Sequence, residues 1–234
     1  MVAARAAYAA GKAAESAHNR GQSVLGKCAH LIGQSATLDR RAHMRETRRS
    51  DPTTGNVCVA RSDEYLSLNP NGLVPTLVDG AFVLWESNAI VRYLASAAGD
   101  EALLPVEPQK RANVERWMDW QLATLWATLR VAFLGLTRTP EPQRDYNAIR
   151  KAHADAGRLL AIVDKVLSAQ AYVAGAEFTV ADIGICLSAH RWFSLADDFR
   201  HALEPAPLLR FVAEWHRNLS SRQAFKDAIS GQRK

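Results

Sequence analysis

Hydrophobic and polar positions follow a readable pattern only from about residue 62 onward. Residues 62–66 read as a short capped helical turn, and residues 69–72, Asn-Pro-Asn-Gly, favour a turn. Two apolar runs, residues 73–78 and 81–85, then flank Asp-Gly, which is the strongest short signal for a β-hairpin. The pattern therefore predicts a turn followed by a hairpin.

A helix is predicted directly after the hairpin, over residues 89–98. Ser87 or Asn88 is predicted as its N-cap, because a short polar side chain there can accept a hydrogen bond from the first turn. Gly99 and Asp100 end the helix.

From residue 107 onward the apolar spacing is helical almost to the end of the chain. The first predicted helix runs from Pro108 to about residue 136, and the second follows a break at residues 139–142 and ends near residue 167. The third begins at Thr179, the fourth follows Pro205 and Pro207, and the fifth covers residues 222–229. The outline is a small segment containing a sheet, a linker near residues 99–106 and an all-α domain over residues 107–230.

Residues 1–61 differ from the rest in both pattern and charge. Residues 1–62 hold ten Lys or Arg and four Asp or Glu, so the whole basic excess of the chain, a net charge of +5, lies there. The pattern predicts no strand or amphipathic helix of useful length between residues 21 and 60, and it favours a weak helix or a transit-type presequence for the Ala-rich opening.

Composition limits the class of protein. With 234 residues, 48% of them apolar and 23% charged, the chain is long enough to bury a core without disulfides or metal. Its three cysteines have no C-x-x-C spacing, which indicates a reducing, cytoplasmic compartment and no structural zinc site. No apolar run reaches the ~20 residues needed to span a bilayer, so a soluble protein is expected.

Three stretches make the chain resemble the glutathione S-transferase family. They are Tyr-Leu-Ser-Leu-Asn-Pro-Asn-Gly-Leu-Val-Pro-Thr-Leu-Val-Asp-Gly at 65–80, Leu-Trp-Glu-Ser-Asn-Ala-Ile-Val-Arg-Tyr-Leu at 84–94, and Glu-Phe-Thr-Val-Ala-Asp-Ile at 177–183. Their order and spacing match over residues 62–230, especially in bacterial members. The resemblance implies an α/β thioredoxin-like N-terminal domain, here incomplete or aberrant, an all-α C-terminal helical domain, and a homodimer.

The resemblance also implies a glutathione site. Val74 and Pro75 stand where the family has a cis peptide bond whose Val backbone pairs with the cysteinyl unit of glutathione, like an added strand. Glu86 and Ser87 stand at a helix start, where they would hold the γ-glutamyl ammonium and carboxylate. The simpler alternatives are a turn proline and an N-cap serine, and the family order of all four residues favours the binding role.

Two further pairs correspond to family positions. Thr179 and Asp182 resemble a structural capping box, and we assign them no chemistry. Trp117 and Trp120 are candidates for the pocket that holds the electrophile, although aromatic residues at helical spacing, Trp126 and Phe133 included, more often belong to a core.

The sequence departs from the family at two places. Leu73 replaces the Lys, Arg, Gln or His that helps to hold the peptide in many relatives. Family spacing puts the activating Ser, Tyr, Cys or Asn about 43 residues before Val74, where residues 29–33 offer no match. The catalytic residue is therefore unknown, and Ser23, Cys28 and Ser35 are the candidates that lie nearby.

We hypothesise that residues 1–61 are not a normal thioredoxin-like half. Gradual divergence would spare buried apolar positions, yet here they are missing together. A reading-frame change, a misassigned start or a replaced terminus would explain this. Disorder or poor packing of that segment and a low conjugating activity are then expected, and residues 62–98 are the remainder of the glutathione-binding domain.

Three functions are compatible with the sequence. The leading one is a detoxifying transferase that joins the glutathione thiolate to a small apolar electrophile, with glutathione as cosubstrate and no metal. The alternative is a glutathione-binding or interaction protein with little or no turnover, because the activating residue is missing. Nucleic-acid binding by the basic segment is weaker, since its arginines are scattered and no aromatic residues lie between them.

Overall fold

The computed structural model describes residues 62–79 and 81–230 of the chain. These residues divide into two compact units, one made of residues 62–98 with 224–230 and one made of residues 99–223. The predictions made for residues 1–61, including the hypothesis on their origin, lie outside the described residues. The Gly80 position of the hairpin turn also lies outside them.

The first unit begins with helix α1, Asp63–Leu68. Its N-cap is Ser62, whose hydroxyl accepts a hydrogen bond from the Tyr65 backbone N–H at 3.2 Å. The predicted turn follows, with the Gly72 N–H donating to the Asn69 carbonyl at 3.0 Å and Gly72 at a φ of 61°. A left-handed φ of this kind is open to glycine at little cost.

Strands β1, Thr76–Asp79, and β2, Phe82–Trp85, pair in an antiparallel hairpin, as predicted. Strand β1 begins three residues later than the apolar run, because Pro75 has no N–H to donate to the ladder. The Val74–Pro75 peptide bond is cis, as the resemblance implies.

Helix α2, Ser87–Ala97, corrects the predicted cap. Its N-cap is Glu86, with no side-chain capping bond, and neither Ser87 nor Asn88 holds that position. The chain turns from β2 into the helix through a φ of 75° at Glu86, and the helix starts two residues before the predicted start at residue 89. It ends as predicted, with Gly99 at a φ of 64°.

The second unit is helical. Its helices are α3 Pro108–Trp120, α4 Ala127–Thr137, α5 Tyr146–Leu167, α6 Val180–Asp198 and α7 Arg210–Ser220. The last helix of the chain, α8 Gln223–Ser230, belongs to the first unit from residue 224 onward. The bounds of α5 to α8 lie close to the predicted ones, whereas α3 and α4 together replace one predicted helix. None of the helices within residues 62–79 and 81–230 has the length and apolar character needed to cross a membrane.

A π-helical stretch, Gln121–Trp126, interrupts the long helix that the sequence predicts from Pro108 to about residue 136. Gln121 is buried there and donates through its side-chain amide to the Ser188 hydroxyl at 3.0 Å. Helix α6 makes room with Gly184, because a Cβ at that residue would lie 3.0 Å from the Gln121 Oε1 atom. A long-range side-chain bond thus accompanies the irregular turn.

The core of the second unit surrounds α6, which is buried from Val180 to Ala189. Helices α4 and α5 approach closely, and a Cβ at Gly135 would lie 2.7 Å from the Ile149 side chain. The largest fully buried side chains of this unit include Leu125, Leu129, Leu160, Ile185, Leu187 and Trp192. Close packing of this kind fixes the relative positions of the helices in this unit.

Candidate functional site

The four residues predicted to bind glutathione lie at one end of the hairpin. In the strand register Thr76 pairs with Trp85. Val74 and Pro75 directly precede Thr76, and Glu86 and Ser87 directly follow Trp85. Opposite residues of an antiparallel pair have Cα atoms roughly 4.5 to 5.5 Å apart, so both dipeptides adjoin the last pair of the ladder at the open end of the hairpin.

The helix start at this end is suited to an anion. The first intrahelical bond of α2 runs from the Ile90 N–H to the Glu86 carbonyl at 2.9 Å. In an α-helix the first N–H groups have no intrahelical acceptor, and the N-cap residue Glu86 makes no side-chain capping bond to them here. Together with the helix dipole they give this end a partial positive charge. Ser87 is buried at 7% exposure, and Glu86 is exposed.

The backbone of Val74 lies beyond the hairpin ladder, which begins at Thr76. The side chain of Leu73, the departure from the family pattern, is 52% exposed. Its carbonyl accepts hydrogen bonds from the Tyr65 hydroxyl and the Asn69 side-chain amide, both at 2.7 Å. The sequence predicts no role for Tyr65 or for the Asn69 side chain, because bonds from side chains to a loop carbonyl eight and four residues away leave no periodic signal.

Trp117 and Trp120, the candidate electrophile contacts, lie together on α3. Their rings meet edge to face with centroids 5.3 Å apart. Trp117 is buried at 8% exposure and Trp120 is half-buried. The Trp117 Nε1 atom is buried without a hydrogen-bond partner, so this ring keeps one donor that the fold does not use.

Trp126 and Phe133, the other aromatic pair, pack against a buried cation. The Arg191 guanidinium lies 4.9 Å from the Trp126 ring centroid and 5.5 Å from that of Phe133. Burial lowers the pKa of Arg191 to about 10, which leaves it charged at neutral pH. These two rings therefore belong to the packing of α6 against the helix that follows the π-helical stretch.

Thr179 and Asp182 form the predicted capping box at the start of α6. The Asp182 Oδ2 atom accepts from the Thr179 N–H at 2.9 Å and from its hydroxyl at 3.3 Å, and the Oδ1 atom accepts from the Val173 N–H at 3.0 Å and the Trp215 Nε1–H at 3.3 Å. Burial raises the pKa of Asp182 to about 6, although these four hydrogen bonds lower it. The carboxylate thus ties the loop before α6 to α7.

Replacing Thr179 with Ala is expected to lower the free energy of unfolding by about 0.5 to 2 kcal/mol, the usual cost of losing an N-cap side chain. Urea denaturation followed by tryptophan fluorescence measures the change. Thr179→Ser is the matched control, because it keeps the hydroxyl, and it should retain most of the stability. A loss of glutathione affinity without a loss of stability would contradict the structural assignment.

The candidate activating residues Ser23, Cys28 and Ser35 lie outside the described residues. The cysteine of the described part, Cys186, is buried in α6. Burial and then the charge of Asp182 raise the pKa of its thiol, so it stays protonated and does not act as a nucleophile. Among residues 62–79 and 81–230 no group of three His, Cys, Asp or Glu side chains is placed to hold a metal ion.

Comparisons with known proteins agree with the two-part architecture. The family model for the glutathione S-transferase N-terminal domain matches residues 56–96, beginning slightly before residue 62. Glutathione S-transferase GstB of Escherichia coli strain K12 is 38% identical over 168 residues, which cover 71% of this chain and 77% of the relative. Glutathione S-transferase D7 of Drosophila melanogaster is 36% identical over 171 residues, covering 70% and 73%.

A similar solved structure is the theta class glutathione S-transferase from Xanthomonas axonopodis pv. citri, determined with glutathione bound. It is 35% identical, with a TM-score of 0.68, and the match covers 89% of this chain and 93% of that one. The fold is accordingly a thioredoxin-like N-terminal domain with a short sheet, followed by a helical domain. The chain belongs to the glutathione S-transferase family.

Proposed function

We propose that this chain binds glutathione at the open end of its hairpin. The supporting observation is the register, in which Thr76 lies opposite Trp85, so that Val74–Pro75 and Glu86–Ser87 each adjoin one residue of this pair. The Val74 N–H and C=O bind the cysteinyl unit of the peptide in the manner of an added strand. The γ-glutamyl carboxylate lies on the N–H groups that begin α2 and on the Ser87 hydroxyl, and Glu86 pairs with the ammonium group.

The proposed reaction is the conjugation of the glutathione sulfur to an electrophilic carbon. A thiol of ordinary pKa near ~8.5 becomes a better nucleophile at neutral pH when hydrogen bonds to its sulfur favour the thiolate. The thiolate attacks, a carbon–sulfur bond forms, and the leaving group departs with the electron pair of the broken bond. The residue that activates the thiol stays unassigned, with Ser23, Cys28 and Ser35 as candidates.

A small apolar electrophile is the proposed second substrate. The half-buried Trp120 supplies aromatic surface on α3, and the buried Trp117 ring packs edge to face against it. Detoxification in the cytoplasm, by a homodimer, completes the proposal. The cytoplasmic part rests on the cysteine pattern of the sequence.

Two measurements on the full chain test this function and separate it from binding without turnover. The chain is passed over immobilised glutathione and eluted with the free peptide, and the eluted protein is then assayed with 1-chloro-2,4-dinitrobenzene. Retention with conjugation supports the transferase. Retention without conjugation supports the binding protein, in which the activating residue is missing. Absence of retention overturns glutathione binding at this place.

A further inference from the structure

A closed ring of hydrogen bonds supports the segment that contains Val74 and Pro75. Tyr65 and Asn69 supply two of its members, and the Leu73 carbonyl and the Thr76 hydroxyl supply the others. The Tyr65 hydroxyl and the Asn69 Nδ2 atom each lie 2.7 Å from the Leu73 oxygen. The same two groups lie 2.8 Å and 3.1 Å from the Thr76 Oγ1 atom. The ring thus joins the residue before Val74 to the residue after Pro75.

The distances allow one assignment of hydrogens that satisfies every donor of the ring. The Tyr65 O–H donates to the Leu73 carbonyl, so the Thr76 hydroxyl donates to the Tyr65 oxygen. The two hydrogens of the Asn69 amide go to Leu73 and Thr76. The Asn69 Oδ1 atom accepts from the Asn71 backbone and side chain, both at 3.1 Å, which fixes the orientation of the amide. A hydrogen-bond network in which every donor has an acceptor is rigid.

This ring determines the direction of the Val74 N–H. The Leu73 carbonyl and the Val74 N–H belong to one planar trans peptide group, so they point in opposite directions. Two donors at 2.7 Å hold the carbonyl toward Tyr65 and Asn69, which are buried at 7% and 2% exposure. The Val74 N–H is consequently held pointing away from those buried side chains.

We propose that Tyr65 and Asn69 are positioning residues of the glutathione site. They act through the Leu73–Val74 peptide group and present the Val74 N–H to the cysteinyl carbonyl of the bound peptide. The inference rests on the proposed function, since it assigns a role toward the same ligand. It also explains how the site keeps its shape with Leu73 in place of a polar side chain, because the support comes from the carbonyl of that residue.

The test compares two Tyr→Phe variants of the full chain. Tyr65→Phe removes one donor from the Leu73 carbonyl and is expected to raise the glutathione Kd, measured by isothermal titration, by about 3- to 10-fold. Tyr93→Phe is the matched control, because the Tyr93 hydroxyl donates to the Asp79 Oδ2 atom at 2.6 Å in the same unit and is not part of the hydrogen-bond ring. We expect its glutathione Kd to stay within about twofold of the wild type.

A second pair of variants separates positioning from general loosening of the fold. Thr76→Val removes the hydroxyl and should weaken glutathione binding as Tyr65→Phe does, whereas Thr76→Ser keeps the hydroxyl and should restore it. In turnover assays the KM for glutathione should rise while kcat at saturating glutathione changes by less than about twofold. Thermal unfolding of all four variants shows whether affinity follows stability.

The outcomes distinguish the positioning role from the proposed function. If the wild type binds glutathione and Tyr65→Phe binds it equally well, the positioning role is wrong and the proposed function stands. The same holds if Tyr93→Phe weakens binding as much as Tyr65→Phe does. If the wild type does not bind glutathione, the proposed function fails and the positioning role fails with it.

Discussion

Replacing Asp182 with Asn is expected to lower the free energy of unfolding by about 2 to 5 kcal/mol at pH 7.5. The buried carboxylate accepts two hydrogen bonds at each oxygen, from the Thr179 N–H and hydroxyl at one and from the Val173 N–H and Trp215 Nε1–H at the other. An amide NH₂ in either position would face donors instead of accepting from them. At least one backbone N–H would then lose its partner inside the protein.

Chemical denaturation of both proteins at pH 7.5 measures the difference. Asp197→Asn is the matched control on the same helix, because that side chain is 79% exposed and lies 3.8 Å from Arg200 in an ion pair at the surface. Exposed pairs contribute about 0 to 1 kcal/mol, so this control should change stability little. A loss below about 1 kcal/mol for Asp182→Asn would show that the carboxylate is replaceable.

The pH dependence of the Asp182→Asn effect has a definite sign. The pKa of Asp182 is raised in the folded protein to about 6, from an ordinary value of 3.8. The folded state therefore binds a proton that the unfolded state releases, and the wild type gains stability from this group as pH falls from about 6 toward 4. Asn does not titrate, so the difference between the two proteins should widen from pH 7.5 to pH 5. If the stability difference narrows instead, the hydrogen bonds lower the pKa of Asp182 more than burial raises it.

Much of the fold could be predicted from local chemistry. The Asp-Gly dipeptide predicts the hairpin, Pro108 lies at the first position of α3, and Thr179 with Asp182 predicts the start of α6. Each signal involves residues within one turn of one another, so it can be read from the sequence. The four residues of the proposed glutathione site could be named only through the resemblance to the glutathione S-transferase family, because local chemistry alone favours a turn proline and an N-cap serine at these positions.

Three features could not be predicted, because each depends on the path of the backbone or on distant partners. The N-cap of α2 is Glu86, since the chain enters the helix through a left-handed φ that side-chain preference does not reveal. The π-helical turn holds Gln121, whose partner Ser188 is 67 residues away. The Tyr65 and Asn69 bonds to the Leu73 carbonyl depend on a loop that returns toward α1.

Replacing Ser87 with Ala is expected to weaken glutathione binding by about 1 to 3 kcal/mol, which is about 5- to 150-fold in Kd. The hydroxyl is proposed to donate to the γ-glutamyl carboxylate, and a bound anion that loses one charge-assisted hydrogen bond is held less tightly. Isothermal titration with glutathione measures the effect. Ser96→Ala makes the same chemical change near the other end of α2, where the side chain is exposed, and should leave the Kd unchanged.

The stability of the Ser87→Ala variant separates binding from helix capping. Ser87 is the first residue of α2 and Glu86 is the N-cap, so Ala at position 87 removes no cap and suits a helix. The variant should therefore lose glutathione affinity with little loss of stability, whereas Thr179→Ala should lose stability and keep its affinity. If Ser87→Ala instead unfolds more easily and binds glutathione normally, Ser87 serves the fold, and the carboxylate is held by the backbone N–H groups of α2 alone.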